Sequence, residues 1–287
     1  MTAPFAAELC GYRISNGKPS TSDSNDAGSV EWGKAMFDVL GVPNDKPEVA
    51  NIGSVMEQAA AMHLEGLRAD LVVRQSRPAM EFGQYAHLAV FRNFARKYRT
   101  PDSGLADVIA EISEGSPSSV TDALVARLKA AGAAVTGNHE LVSRLLDTMP
   151  EESMLKLDIA VAAPAPVNRL LIGVSSKWTL RTDRAQDCVS QGSKLVSLRR
   201  GHMPHYAVLT MEPRPSMLRL VAYGSGSVDC VYHLALQELR EAAKVLEARR
   251  GLQNWPPRVL LERMVAQGRI RDYCELVAEV QRLPAWQ

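Results

Sequence analysis

The sequence predicts an α/β fold, a central mixed β-sheet flanked by helices and carrying a helical elaboration. Leu155–Val161 and Arg169–Val174 are runs of β-forming residues separated by a turn at Pro164 and Pro166, which fits antiparallel neighbours. From there the pattern passes to a helix over 183–200 and back to a strand at Tyr206–Met211, a crossover of the α/β kind. Residues 100–150 are rich in Ala and Ser, with helical spacing at Leu105, Ile109 and Ile112 and at Leu124 and Leu128. Breaks at Gly115–Pro117 and Gly132–Asn138 divide this stretch into two or three helices, an insertion into a core built by its flanks.

A chain of 287 residues can bury a substantial core, here as one domain with an N-terminal arm (1–30) and the insertion at 100–150. The composition, 46% hydrophobic and 23% charged, is that of an ordinary soluble protein, and no apolar run approaches membrane-spanning length. The start, MTAPFAAELCGYR, has no basic patch followed by an apolar core, so a signal peptide is not expected. Cys10, Cys188, Cys230 and Cys274 lie far apart without zinc-ligand spacing, which favours reduced thiols and a cytoplasmic location. A net charge of +1 means that any nucleic-acid contact must come from local basic patches.

In chain order, Gly17–Gly28 reads as a long polar loop that closes the arm. A helix follows at 30–40, ended by Gly41-Val-Pro43. The next begins after Asn51–Ser54, with Val55, Ala59, Met62 and Leu67 at helical spacing, Ser54 as cap and Glu57 at the third helical position, where it can complete a capping box. Leu71–Gln75 is a short strand, and Tyr85–Tyr98 is a helix with a basic end (Arg92, Arg96, Lys97, Arg99) suited to a helix dipole or to phosphate. Thr182 or Asp183 can cap the helix at 183–200, which turns Ala185, Val189 and Leu195 inward. Past Tyr206–Met211, Leu218–Tyr223 reads as a further strand. Gly224–Val228 is a loop without a Walker lysine, and a long helix runs from Asp229 to about Arg250 before two short C-terminal helices. His202 and His205, beside a proline turn, read as surface residues rather than a metal pair.

Two clusters bear on chemistry. Asp158 sits inside a strand, where Asp is disfavoured, and antiparallel pairing would bring it to Ser175 and Lys177, which share a face of the next strand. This is either a buried ion pair or the core of a phosphodiester hydrolase, with the carboxylate and a main-chain carbonyl near Ser176 holding Mg²⁺ while the lysine orients water. Arg181, Asp183 and Arg184 follow at once. They form either a surface charge cluster at a helix start or a reader of G·C pairs, since arginine grips guanine O6/N7 and a carboxylate accepts from cytosine N4.

These stretches resemble the NgoMIV-type family of type II restriction endonucleases, within the PD-(D/E)xK nuclease superfamily. The resemblance is densest in Ser175–Thr179, Arg181–Gln186 and Ser190–Gly192; it continues at Leu209-Thr210, Glu212-Pro213 and Asp229–His233, and reaches back more weakly to Gln84–Leu88 and Gly53–Glu57. It implies a restriction-endonuclease-like core that cleaves duplex DNA with Mg²⁺ at a palindrome having a CCGG core, leaving 5′ overhangs. In the implied assignment Asp158, Lys177, Ser175, Glu57 and Gln191 are catalytic positions, and Asp158, Ser176 and Glu57 hold the metal. Arg181, Asp183 and Arg184 read the bases. The resemblance further implies a homo-oligomer, dimer or tetramer, and a companion DNA methyltransferase, with flanking bases read partly from the N-terminal region and from Arg214–Met217. The chain departs from the family pattern where Leu157 precedes Asp158, in a shorter spacing from Asp158 to Lys177, and where Gln191 stands for a glutamate. The last departure implies an alternative: a CCGG-selective DNA-binding protein of the same fold with impaired catalysis.

Overall fold

A computed structural model describes residues 2–90, 119–148, 155–224 and 226–286, together with Ala110, Ile112 and Glu114. Its helices are α1 (Ala6–Leu9), α2 (Ala27–Leu40), α3 (Ile52–Glu65), α4 (Ser119–Thr148), α5 (Thr182–Leu198), α6 (Pro215–Ala222), α7 (Leu236–Arg249), α8 (Pro256–Ala266) and α9 (Tyr273–Arg282). The strands are β1 (Val72–Pro78), β2 (Lys156–Ala162), β3 (Leu170–Lys177), β4 (His205–Thr210), β5 (Cys230–His233) and β6 (Ile270–Asp272). They form one sheet in the order β1-β2-β3-β4-β5-β6. The first two pairings are antiparallel and the last three parallel, so the sheet is mixed, as expected. Residues Met1–Ala86 and Met154–Gln287 make one compact unit, and His87–Ser153 a second.

Strand burial follows sheet position. Apart from Lys177, β3 is buried along its whole length, which is why it reads as a near-continuous apolar run. Ile159 pairs with Val174, so Asp158 on β2 arrives beside Ser175. The crossover from β3 to β4 is α5, which lies close against the sheet at Gly192: a Cβ there would stand 2.7 Å from the Ser227 carbonyl oxygen and 2.8 Å from the Tyr206 ring. Only glycine permits that approach.

Several elements differ from the sequence expectation. Leu218–Tyr223 is not a strand but most of α6, with Pro215 in its first turn and Pro215, Leu218, Val221 and Ala222 buried at helical spacing. A strand would have put Leu218 and Leu220 on one face, yet Leu220 is exposed. The helix expected from Asp229 begins instead at Leu236, because Cys230–His233 is a fully buried strand between β4 and β6. α3 starts at Ile52 with Asn51 in the cap position, and its buried face is Met56, Ala60, Ala61 and Leu64 rather than Val55, Ala59, Met62 and Leu67. α4 runs unbroken through Gly132–Asn138, since its other residues are mostly good helix formers. Arg92, Arg96, Lys97 and Arg99, and the break at Gly115–Pro117, lie outside the described residues.

The N-terminal segment has little regular structure but is anchored. Ala3, Ala6, Leu9, Cys10 and Tyr12 are buried, and Arg13 donates to Ser24 Oγ and to the carbonyls of Ser20 and Ser22. Cys10, Cys188 and Cys230 are buried and Cys274 is exposed, and none of the four is joined in a disulfide among the described residues. Among the described residues no helix is long and apolar enough to cross a membrane.

Candidate active site

The end of β3 and the neighbouring edge of β2 carry the acidic and basic groups singled out above. Asp158 Oδ2 accepts three hydrogen bonds: from the Ser176 backbone N–H at 2.7 Å, Lys177 Nζ at 2.9 Å and Ser175 Oγ at 3.2 Å. Strand alternation explains the set, because Ser175 and Lys177 share the face toward Asp158 while the intervening N–H points along the sheet plane. Asp158 and Lys177 keep 23% and 26% side-chain exposure, so the pair is open to a ligand rather than sealed in the core. Ser175 is buried beneath them and is within 3.6 Å of the Cys188 thiol of α5, whose pKa burial pushes up.

Glu57 approaches from α3. Its carboxylate does not close a capping box but accepts from Ser76 Oγ at 3.1 Å. Gln75 pairs with Ile159 and Arg77 with Leu157, which puts Ser76 across β1 from Asp158, and Ser76 has φ of +52°. Left-handed backbone is uncommon for serine, and here it turns the hydroxyl to Glu57. Partial burial raises the Glu57 pKa, and the Asp158 carboxylate adds to the rise while Ser76 opposes it. The Asp158 carboxylate therefore lies near enough to act on Glu57. Ser76 carries no signal in the sequence, since a serine in a strand is unremarkable without its dihedral.

Gln191, on α5, reaches the same strand from the other side. Its Nε2 donates to the Lys156 carbonyl, and its Oε1 accepts from Tyr206 Oη at 2.7 Å. A carbonyl can only accept, so the orientation of the amide is fixed by its partners. The Tyr206 hydroxyl also lies 3.0 Å from the Cys188 carbonyl, so its single proton is shared between the two oxygens; the side chain is fully buried, with its phenol pushed well up by burial and by the neighbouring Cys188 thiol and Asp158. The sequence offered Tyr206 only as a strand residue.

Arg181, Asp183 and Arg184 are exposed at the start of α5. Arg181 occupies the cap position without a side-chain cap bond, so neither Thr182 nor Asp183 serves as cap. Among the described residues, Arg184 Nη1 makes only long contacts to Thr179, at 3.4 and 3.5 Å. With Lys177 and Ser176, both arginines line an open groove of about 890 Å³ whose other wall includes Arg13 and Asn51. Arg214 is not presented to this groove: its side chain is 12% exposed and engaged with Glu212 and Asp26. Chemically, the arrangement offers hard oxygen ligands and a lysine beside a basic, solvent-open trough.

Among the described residues no three His, Cys, Asp or Glu side chains converge as a metal cage. Mg²⁺ does not require one, since it is commonly held by one or two carboxylates together with waters and substrate phosphate. Asp158, with its three hydrogen bonds all on Oδ2, and Glu57 meet that requirement.

A family model described as NgoMIV restriction enzyme matches residues 67–281, a span that contains Ser76, Asp158, Ser175, Ser176, Lys177, Arg181, Asp183, Arg184 and Gln191 but not Arg13, Asn51 or Glu57. The Type II restriction enzyme NgoMIV of Neisseria gonorrhoeae is 33% identical over 232 residues, covering 78% of this chain and 73% of that one.

Proposed function

The chain belongs to the NgoMIV restriction enzyme family, and on that premise we propose that it is a type II restriction endonuclease that hydrolyses duplex DNA at a palindrome with a CCGG core, uses Mg²⁺ and leaves 5′ overhangs. The observation that carries the reading is the triple hydrogen bond onto Asp158 from Ser175, Ser176 and Lys177, a few residues before exposed Arg181, Asp183 and Arg184.

In an extended strand the N–H and C=O of one residue point to the same edge, so the Ser176 carbonyl lies on the side of Asp158. Asp158, the Ser176 carbonyl and Glu57 would hold the metal. Bound there, Mg²⁺ would supply Lewis-acid polarisation of the phosphate and of the attacking water. Lys177 donates to Asp158 in the resting site, and with DNA present its ammonium orients the attacking water and neutralises charge that builds on the phosphate. Ser175 fixes the Asp158 carboxylate from below. The two arginines each grip a guanine and Asp183 accepts from a cytosine, which supplies the G·C content of the core. A palindrome calls for two-fold related subunits, so the protein acts as a homo-oligomer, dimer or tetramer. It works in the cytoplasm beside a companion methyltransferase, because its own host's sites need protection.

Digestion of a plasmid library with sequenced ends tests activity, site and cut position together. The expected result is Mg²⁺-dependent cutting within CCGG-containing palindromes, abolished by chelation. Specific binding without turnover in any divalent metal would favour instead a CCGG-selective binding protein impaired at Gln191.

A further inference from the structure

Between Lys177, which ends β3, and Thr182, which begins α5, both polar backbone groups of Leu180 are held by one buried ion pair. The Leu180 N–H donates to Glu212 Oε2 at 2.8 Å, and the Leu180 carbonyl accepts from Arg214 Nη2 at 2.9 Å. Glu212 Oε1 accepts from the Arg214 backbone N–H at 3.1 Å and from Nε at 2.7 Å. Arg214 Nη2 also donates to Glu212 Oε2, at 3.2 Å. Glu212 is fully buried, and burial raises its carboxyl above the usual range although Arg214 and the backbone donors oppose the rise. Every partner of the carboxyl is a donor, so it is held ionised.

The pair is itself anchored on several sides. The Glu212 N–H donates to Thr210 Oγ1 at the end of β4. The Glu212 carbonyl accepts from His233 Nε2 at 3.1 Å; His233 Nδ1 accepts from the Ala235 N–H, which places the ring proton on Nε2. Arg214 Nη1 extends to Asp26 Oδ2 at 3.3 Å, and Asp26 is the N-cap of α2. A buried ion pair adds little net stability for its desolvation cost, but its hydrogen bonds are directional and specify one geometry. The geometry specified here is that of the turn joining Lys177 to Arg181, Asp183 and Arg184.

We propose that Glu212 and Arg214 are positioning residues that fix the register between the lysine end of β3 and the base-reading start of α5, so that DNA gripped by the arginines presents its phosphate to Lys177. The inference rests on the nuclease reading of that site. It also assigns Arg214 to the protein's interior rather than to the flanking bases.

Glu212→Gln tests it, because an amide has one acceptor oxygen where the carboxylate uses two and cannot satisfy both Leu180 and Arg214. Glu247→Gln is the control: Glu247 is a buried carboxylate on α7 that holds Arg258 and the Trp255 N–H, apart from the β3–α5 turn. With DNA pre-bound, the single-turnover cleavage rate of Glu212→Gln should fall at least tenfold. Affinity for the same duplex in Ca²⁺ should change less than threefold, and Glu247→Gln should keep the wild-type rate. A Glu212→Gln rate within threefold of wild type, or a fall matched by Glu247→Gln, overturns the proposal. If Glu212→Gln does not fold, Arg214→Lys, which keeps the charge without the fork, should slow the bound-DNA rate at least threefold, and an unchanged rate overturns the proposal equally. A wild-type protein that cuts no duplex refutes the nuclease reading itself, and is seen before any variant is made.

Discussion

Gln191→Glu is the substitution in which a structural pin and a missing negative charge predict opposite outcomes. In the native side chain Nε2 donates to the Lys156 carbonyl and Oε1 accepts from Tyr206. An ionised glutamate could keep the tyrosine contact but would turn lone pairs toward the carbonyl. The lost hydrogen bond and the stranded acceptor cost about 1–2 kcal/mol, in the lower part of the usual range because Gln191 is half-buried. In a chain of this size that lowers Tm by roughly 2–6 °C. Facing a carbonyl, with Asp158 two positions along the same strand, the introduced carboxyl would have its folded pKa raised above the unfolded value of about 4.3. The folded state then binds more protons between those two values, so the variant is near wild type in acid and loses stability as pH rises through that window. Urea unfolding of both proteins from about pH 5 to about pH 8, with cleavage measured at the upper end, reads both quantities. Wild-type stability near pH 8 together with a tenfold or greater rise in cleavage would refute the pin and identify the missing charge as the deficit.

Four further outcomes follow from named contacts. Lys177→Ala should reduce cleavage by about a hundred- to a thousandfold while leaving DNA binding in Ca²⁺ largely intact, as gel shift and single-turnover assays would read; persistent cutting would reject the lysine's role. Arg181→Ala and Arg184→Ala should each lose about 1–3 kcal/mol of discrimination at one G·C pair, against no change in thermal stability because both side chains are exposed. Gly192→Ala should destabilise by about 1–3 kcal/mol in urea, since its Cβ would meet backbone at Ser227 and the Tyr206 ring; a neutral result would mean that α5 can lift from the sheet. Burial lowers the His205 pKa, but Asp229 at 2.9 Å and Cys230 outweigh it and set the value at about 9, so the pairing stabilises fully below 6.5 and is lost as pH rises through about 9. His205→Gln should remove up to about 3 kcal/mol of that alkaline loss, and an equal loss in both proteins would exclude this pair as its source.

Where one face or one period was decisive, the sequence was enough. β2 and β3 were legible because their alternation and proline turn leave few alternatives, and the meeting of Asp158 with Ser175 and Lys177 follows from that pairing alone. Leu218–Tyr223 reads as a strand because a short apolar run with one arginine fits periods of two and of three to four. The exposure of Leu220 decides between them, and that depends on what packs against α6. Cys230–His233 was absorbed into a helix because four buried residues give a helical pattern no contradiction until a neighbouring strand supplies their hydrogen bonds. Glu57 was legible as an acid on a helix, but its direction was not, since that depends on Ser76 adopting φ of +52°.

Charge is the property that sequence reports without location, and Arg181, Arg184 and Arg214 show why that matters. All three lie near the β3–α5 turn, and all three suit a DNA-binding protein by composition. Two are exposed, with at most long contacts to Thr179, whereas Arg214 is spent on Glu212, Asp26 and the Leu180 carbonyl. The difference originates in Glu212, whose burial forces a partner, since an unpaired carboxylate inside the core would cost several kcal/mol. Once Arg214 is committed, its fork holds the backbone from which the two exposed arginines project. The buried arginine thus limits where the exposed ones can reach, and a substitution that frees it would add a cation near the groove while loosening the turn that carries them.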